Sequence, residues 1–462
     1  MTFTDVSFFV YLALCLVIFR ITPLRSRWIF LIVAGVVFYA FLDVRFLWAL
    51  LIMIAPTYAG CWYLARFPRH RLWMLWLAVG AVLSWLFLIK WSGTNAISWL
   101  GPPLSLLPGA RADFLIGLAF PIGISFHALQ CVSVLVDTYR NPATWDPHPG
   151  RMILFLCYLP QILAGPIERA RVMSPQFIAP KQESPSEALQ GLEWFTRGLF
   201  KKFVIADRFA PVLGAVVAQP LLYQSPLVSA LVIFGFPIYL YMDFSGYTDL
   251  ARGMSLWFGI RLSKNFDAPF ASKTTAEIWR RWHITFHNFV RDYVLKSLKG
   301  YVSSLGFRLF IAFTLSGLWH GLGLHFFAWS MAALAIVILE ELAAKVFSGY
   351  KSMPLAPLRT YLLVSISCAF FYVPDLATLP ELIRGFTEPL NMEVTLSMLK
   401  TMGWVANDLV IYASIGPLML LIDGRDFGSR KDLWRWVRLV LLVIAILILR
   451  FPKGTIHSYF RI

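Results

Sequence analysis

The chain alternates long apolar runs with short charged interruptions from one end to the other. Runs of about the 20 residues that a bilayer helix needs fall near 6–21, 28–43, 46–65, 72–91, 114–137, 151–166, 190–217, 226–243, 306–320, 323–345, 359–374, 404–422 and 437–451. Some are short or interrupted by Gly and Pro, so the pattern predicts an all-α polytopic membrane protein with about eleven full spans and a few re-entrant pieces. Three stretches read as non-helical backbone at membrane depth: FPIGISF (120–126), YLPQILAGPIERA (158–170) and MDFSGYTDLA (242–251). Backbone of that kind persists only where protein or a water-filled cavity covers it. The first run lacks a basic leading region and a small-residue cleavage site, so it reads as a retained span. No internal repeat, long linker or low-complexity stretch appears, and residues 1–462 are expected to form one membrane domain.

Residues 261–300 break the pattern. They hold many charges yet keep bulky aromatics. SKTTAEIW is a helix-start signal: Thr274 or Thr275 can cap, and Glu277 suits the first turn. Beyond Ile278, Trp279, Trp282, Phe286, Phe289 and Tyr293 recur every three or four residues. The spacing predicts one amphipathic helix with an aromatic face. It is too short and too charged to span, and is expected at the cytoplasmic interface or tucked into the domain.

Composition sharpens this picture. Charged residues make up 14% and hydrophobic ones 58%, whereas a soluble domain carries about 25% charged. A net charge of +16 would suit nucleic acid, but the basic residues sit in short clusters between apolar runs, such as RFPRHR (66–71) and RDFGSRKDLWRWVR (425–438). That placement is the positive-inside signal of cytoplasmic loops, and no nucleic-acid partner is expected. Arg20, Arg25 and Arg27 after the first run put the N-terminus outside. The Pro/Gly-rich stretch 92–112 reads as an outer loop, and the tail PKGTIHSYFRI is again outside. Cys15, Cys61, Cys131, Cys157 and Cys368 all lie in apolar runs without CxxC spacing. They read as buried packing thiols rather than disulfides or zinc ligands.

An apolar run has no use for an imidazole, which makes His320, in SGLWHGLG, a suspect for chemistry. Histidine is the commonest general base, and the flanking small residues allow close approach of helices or of a substrate. A core histidine satisfied by one carbonyl is the other reading. His325 shares no helical face with it and reads as structural. His283 and His287 are four apart, as HITFH, without the Glu that the metalloprotease form requires, so no metal site is expected. His283 stands in RRWHI. Arg280, Arg281 and Trp282 there suit an anionic, flat ligand such as a nucleotide-bearing cofactor, or an interfacial aromatic and arginine belt. His70 and His148 read as surface residues, and His457 carries little information. Asp243 and Asp249 bracket FSGY after an apolar run and must pair or line a cavity; a structural-polar role is favoured over catalysis. No G-x-S-x-G, Walker A or G-x-G-x-x-G pattern is present.

Several segments, in order and over most of the chain, carry a family resemblance. They are FYAFLDVRFLWALL near the N-terminus, PIGISFHALQCVSVLVDTYR (121–140), YLPQILAGPIERA, GLFKKFVIAD (198–207), MDFSGYTDLARG with LWFGI (242–260), NFDAPF (265–270), WRRWHITFHNFVRDYV (279–294) and SGLWHG (316–321). On these the chain resembles the membrane-bound O-acyltransferases, most closely the bacterial alginate O-acetylation branch, with the teichoic acid D-alanyl transfer proteins related. The resemblance implies a ring of about eleven helices around a thinned centre pierced by a tunnel. It implies that His320 and His283 are the two signature histidines, with His320 catalytic at the middle of the tunnel. It also implies a cytoplasmic thioester donor, acetyl-CoA or another acyl carrier, in the bacterial inner membrane. An extracytoplasmic SGNH-like acetyltransferase partner would pass the group to a polysaccharide hydroxyl. His287 stands where the family commonly has Ser or Thr, which leaves its role open. Arg280 and Arg281 would contact donor phosphates. D-alanyl transfer, a transporter and a non-catalytic scaffold of a polysaccharide-export complex stay as alternatives.

Overall fold

The structure, a computed structural model, describes residues 5–93, 123–178, 180, 183–219, 224–401, 404, 408, 414 and 432–449. Residues 94–112 of the expected outer loop, most of the run 404–422, the cluster 425–431 and the C-terminal tail with His457 lie outside the described residues, while residues 92 and 93 close the helix Arg71–Gly93. Along the chain the main helices are α1 (Val6–Ile21), α2 (Arg27–Leu42), α3 (Arg45–Arg66), α4 (Arg71–Gly93), α5 (Ile124–Arg140), α6 (Pro149–Cys157), α7 (Ala170–Ile178), α8 (Pro185–Phe200), α9 (Asp207–Ala218) and α10 (Pro226–Trp257). Then come α11 (Thr275–Arg281), α12 (Ile284–Phe289), α13 (Leu305–His320), α14 (Leu324–Val346), α15 (Ala356–Tyr372), α16 (Thr378–Arg384), α17 (Met392–Thr401) and α18 (Asp432–Leu449). Among the described residues there is no strand. Among the described residues five helical segments are long and apolar enough to cross a membrane: Leu24–Leu42, Arg45–Arg66, Arg71–Trp91, Pro226–Trp257 and Leu324–Val346. Val6–Ile21 and Ala356–Tyr372 are shorter apolar helices.

The described chain packs as two compact units. The first holds residues 1–192 and 251–263; the second holds 193–250 and 264–462. In the first, α3 packs on α4 and α5, and α2 packs on α6. α1 shows how the apolar runs divide their surface: Phe8, Leu12, Cys15 and Phe19 are buried at helical spacing, while Val6, Val10, Leu14 and Val17 face outward. An outward apolar face at this spacing suits lipid. All five cysteines are free and buried, as packing thiols should be. The segment predicted as broken backbone at 158–170 is so: α6 stops at Cys157, and residues 158–169 run as turns and irregular chain with most side chains buried. Gln161 Nε2 there donates to Phe155 O at 2.5 Å, and Tyr158 Oη pairs with Ser255 Oγ at 2.8 Å.

The second unit corrects two expectations. MDFSGYTDLA is continuous helix inside α10, not a re-entrant piece. Its polar atoms are satisfied without leaving the helix: Thr248 Oγ1 donates to Phe244 O at 3.0 Å, Asp243 pairs with Lys202 at 2.5 Å, and Asp249 pairs with Arg197 and Lys201 at 2.8 and 3.0 Å. The lysines stand on a π-helical turn, Lys201–Ala206, which interrupts the run predicted as one span at 190–217. Both aspartates are thus ion-paired within the fold.

The amphipathic helix predicted from residue 278 onward is also not one helix. α11 starts as expected, with Thr274 Oγ1 accepting from Glu277 N–H at 3.2 Å, but it ends at Arg281. Trp282 is extended, and His283 adopts the left-handed conformation (φ 44°, ψ 53°). α12 follows and passes into a second π turn, Val290–Leu295. The aromatic spacing was real; the break at His283 is made by contacts from a distant segment, described next.

Candidate functional site

His320 is the last residue of α13, and Gly321 follows in extended conformation. Helices α13 and α14 pack closely at this end. A methyl at Gly317 would meet Ser330 Oγ at 2.6 Å and Phe326 O at 2.7 Å, and one at Gly321 would meet the Phe326 ring at 2.2 Å. The small residues of SGLWHG thus bring the two helices together. The imidazole is half-buried among aromatic rings: Trp319 at 4.8 Å, Phe371 at 5.0 Å, Trp329 at 5.1 Å, and Phe286 and Phe326 at 6.4 Å between centroids.

His283 lies in the same constellation. Its ring stacks on Phe286 (5.2 Å, 30°) and meets Phe244 edge-on at 4.7 Å. Phe286 in turn stacks on Trp319 at 4.6 Å (28°), the neighbour of His320. Phe286 and Trp319 therefore join the two imidazoles that the sequence singled out. His283 is buried, and burial pushes its pKa down to about 3, so the ring is neutral at physiological pH. Its Nδ1 lies 3.0 Å from Asn265 Oδ1.

The remaining sequence candidates are placed differently. Arg280 is exposed. Arg281 pairs with Glu277 at 2.7 Å. Trp282 packs among Phe266, Tyr241 and Phe270 at 5.4, 5.6 and 6.0 Å, so its ring contacts protein. His287 is half-buried, and its pKa is lowered first by burial and then by Arg291 and Arg280. His325 rests on Phe326 at 4.1 Å. His148 packs edge-on against Trp28, and His70 is exposed. Among the described residues no three His, Cys, Asp or Glu side chains converge on a metal-sized site. Reading the sequence overlooked the cage residues Phe326, Trp329 and Phe371, and gave Asn265 no role although NFDAPF was singled out. Aromatics at helical spacing look alike in sequence whether they face lipid, core or site.

The model of the family "MBOAT, membrane-bound O-acyltransferase family" matches residues 137–375, a stretch that contains both His283 and His320. The chain belongs to the membrane-bound O-acyltransferase family, and it is an O-acyltransferase and a multi-pass membrane protein. It is 30% identical over 387 residues to the probable alginate O-acetylase AlgI of Azotobacter vinelandii, covering 81% of this chain and 75% of the relative. It is 28% identical over 393 residues to the peptidoglycan O-acetyltransferase of Helicobacter pylori (77% and 73%). It is 27% identical over 270 residues to the teichoic acid D-alanyltransferase of Bacillus subtilis (54% and 68%).

Proposed function

We propose that this protein moves an acetyl group from a cytoplasmic thioester, acetyl-CoA, to an extracytoplasmic polysaccharide hydroxyl or a partner protein that serves it, with His320 as general base. The observation that carries the reading is the pairing of His320 with His283 across Phe286 and Trp319, inside the family-matched region. The O-acetylating relatives support acetyl as the acyl group and a glycan as the acceptor.

A charged CoA thioester does not cross lipid, so a passage along the bundle axis must let the acyl end meet the acceptor. His320 Nε2 or Nδ1 takes the hydroxyl proton as the oxygen attacks the thioester carbonyl; the thiolate leaves and the proton follows to it. General-base help of this kind contributes about 10²–10⁴-fold, and holding donor and acceptor together contributes more. His283, neutral at working pH, lies one aromatic layer away, across Phe286 and Trp319. Exposed Arg280, with Arg281 next to it, would meet the donor phosphates on the cytoplasmic side, in the bacterial inner membrane, whereas Trp282 is taken up by packing on Phe266, Tyr241 and Phe270.

The test is transfer of labelled acetyl from acetyl-CoA by the purified protein in detergent or nanodiscs. His320→Ala is expected to lower the rate by about 10²–10⁴-fold at unchanged membrane level. Undiminished transfer in that variant would favour a scaffold. Labelling only from a D-alanyl carrier would correct the acyl group.

A further inference from the structure

We infer that Asn265 is the positioning residue of the second imidazole: it holds His283 in the Nδ1–H tautomer and so turns Nε2 into the ring's proton-accepting atom. The inference rests on the proposed function for its catalytic meaning, but its geometry stands alone.

Asn265 is buried in the NFDAPF loop. Its Oδ1 lies 3.2 Å from Thr285 N, 2.9 Å from Thr285 Oγ1 and 3.0 Å from His283 Nδ1. A backbone N–H can only donate, so the amide must present its oxygen here, not its NH₂. An amide oxygen can only accept, so Nδ1 of His283 carries the proton. In the neutral ring Nε2 then holds the lone pair. The main chain completes the clamp: Asn265 O accepts from Ile284 N–H at 2.8 Å, and two residues on Asp267 N–H donates to Arg281 O at 2.9 Å. Two of the first N–H groups of α12 are thereby satisfied from another segment. This explains how the chain tolerates left-handed backbone at His283, a conformation that is strained for a non-glycine residue.

An asparagine differs from the carboxylate that often orients a histidine. It fixes the tautomer without adding charge, so it does not stabilise an imidazolium. The charged groups flanking the contacts are paired elsewhere. Asp243, next to Phe244, pairs with Lys202; Asp267 pairs with Lys264; Arg281 pairs with Glu277. His320 follows Trp319 on α13.

The experiment is ¹⁵N-histidine magic-angle-spinning NMR of the full chain in nanodiscs, with His283 assigned by its loss in His283→Gln. Wild type is expected to show a protonated Nδ1 and an unprotonated Nε2 at pH 7. Asn265→Asp keeps an acceptor for all the same donors and so should fold. It is expected to retain Nδ1–H and to make imidazolium appear near pH 6, where wild type shows none. Asn265→Ala is expected to give mixed tautomers and about a tenfold loss of kcat, with Asn265→Asp recovering part of it. An Nε2–H tautomer in wild type, or the Nδ1–H form unaltered in a folded Asn265→Ala, overturns the inference. Full transfer by His320→Ala, run in parallel, would instead sink the proposed function and leave the tautomer result standing.

Discussion

At the scale of single residues, burial decides which charges the chain can carry. Lys202 holds both Asp243 and Asp207, at 2.5 and 2.9 Å. Removing the ammonium by Lys202→Met leaves two carboxylates without it, and losing one partner of a buried pair costs about 3–5 kcal/mol. A large drop in the unfolding temperature of the detergent-solubilised protein is expected; an unchanged midpoint would mean that the pair is not buried. His283 gives a pH dependence. Its folded pKa lies below the unfolded value of about 6.5, so the unfolded chain binds the extra proton first. Its contribution to stability is complete above about pH 6.5 and is lost as pH falls from there toward 3. Tryptophan-fluorescence melts should show wild type losing stability between pH 6.5 and 5, with a shallower slope in His283→Gln. Equal slopes would contradict the burial.

At the scale of elements, the hydrophobic pattern located the helices well and their interruptions less well. The runs at 6–21, 28–43, 46–65 and 72–91 match α1 to α4 within a residue or two, because each presents an unbroken apolar stretch between charged stops. The runs at 306–320, 323–345 and 359–374 match α13 to α15 for the same reason. MDFSGYTDLA misled, because a Gly and two Asp look like a break when their partners are unseen. In the fold Gly246 lies against Gly198, and the carboxylates meet Lys202, Arg197 and Lys201. The opposite error came at His283, where periodicity continued but the Asn265 clamp broke the helix. Both errors have one cause: long-range polar contacts override local signal. The glycine contact is testable. A Cβ at Gly198 would sit 2.6 Å from Gly246 O and 2.7–2.8 Å from Leu250 atoms. Backbone on one side cannot yield cheaply, so Gly198→Ala is expected to cost about 1–3 kcal/mol. A melt no lower than wild type would show that α8 and α10 have room to separate.

At the scale of the whole molecule, sequence patterning gave the class, a polytopic helical membrane protein, and family resemblance gave the candidate pair. His320 was legible because an imidazole is out of place in an apolar run. Asn265 was not, because its meaning depends on what lies opposite it in space. The basic loops set a topology that a labelling experiment can read. The turn 66–71 is exposed and predicted to face the cytoplasm. The native cysteines are buried, so a cysteine introduced by Arg69→Cys supplies the accessible thiol. An impermeant thiol reagent should label it in inside-out vesicles but not in intact spheroplasts; labelling of spheroplasts would reverse the topology.

His320 is proposed to meet the acyl thioester, and a cryo-EM map with a non-hydrolysable acetyl-CoA analogue is the decisive test. The acetyl carbonyl is expected beside the His320 ring, within the cage of Trp319, Trp329 and Phe371, with the nucleotide end toward Arg280. An analogue bound elsewhere, with that cage closed and dry around the imidazole, would contradict it.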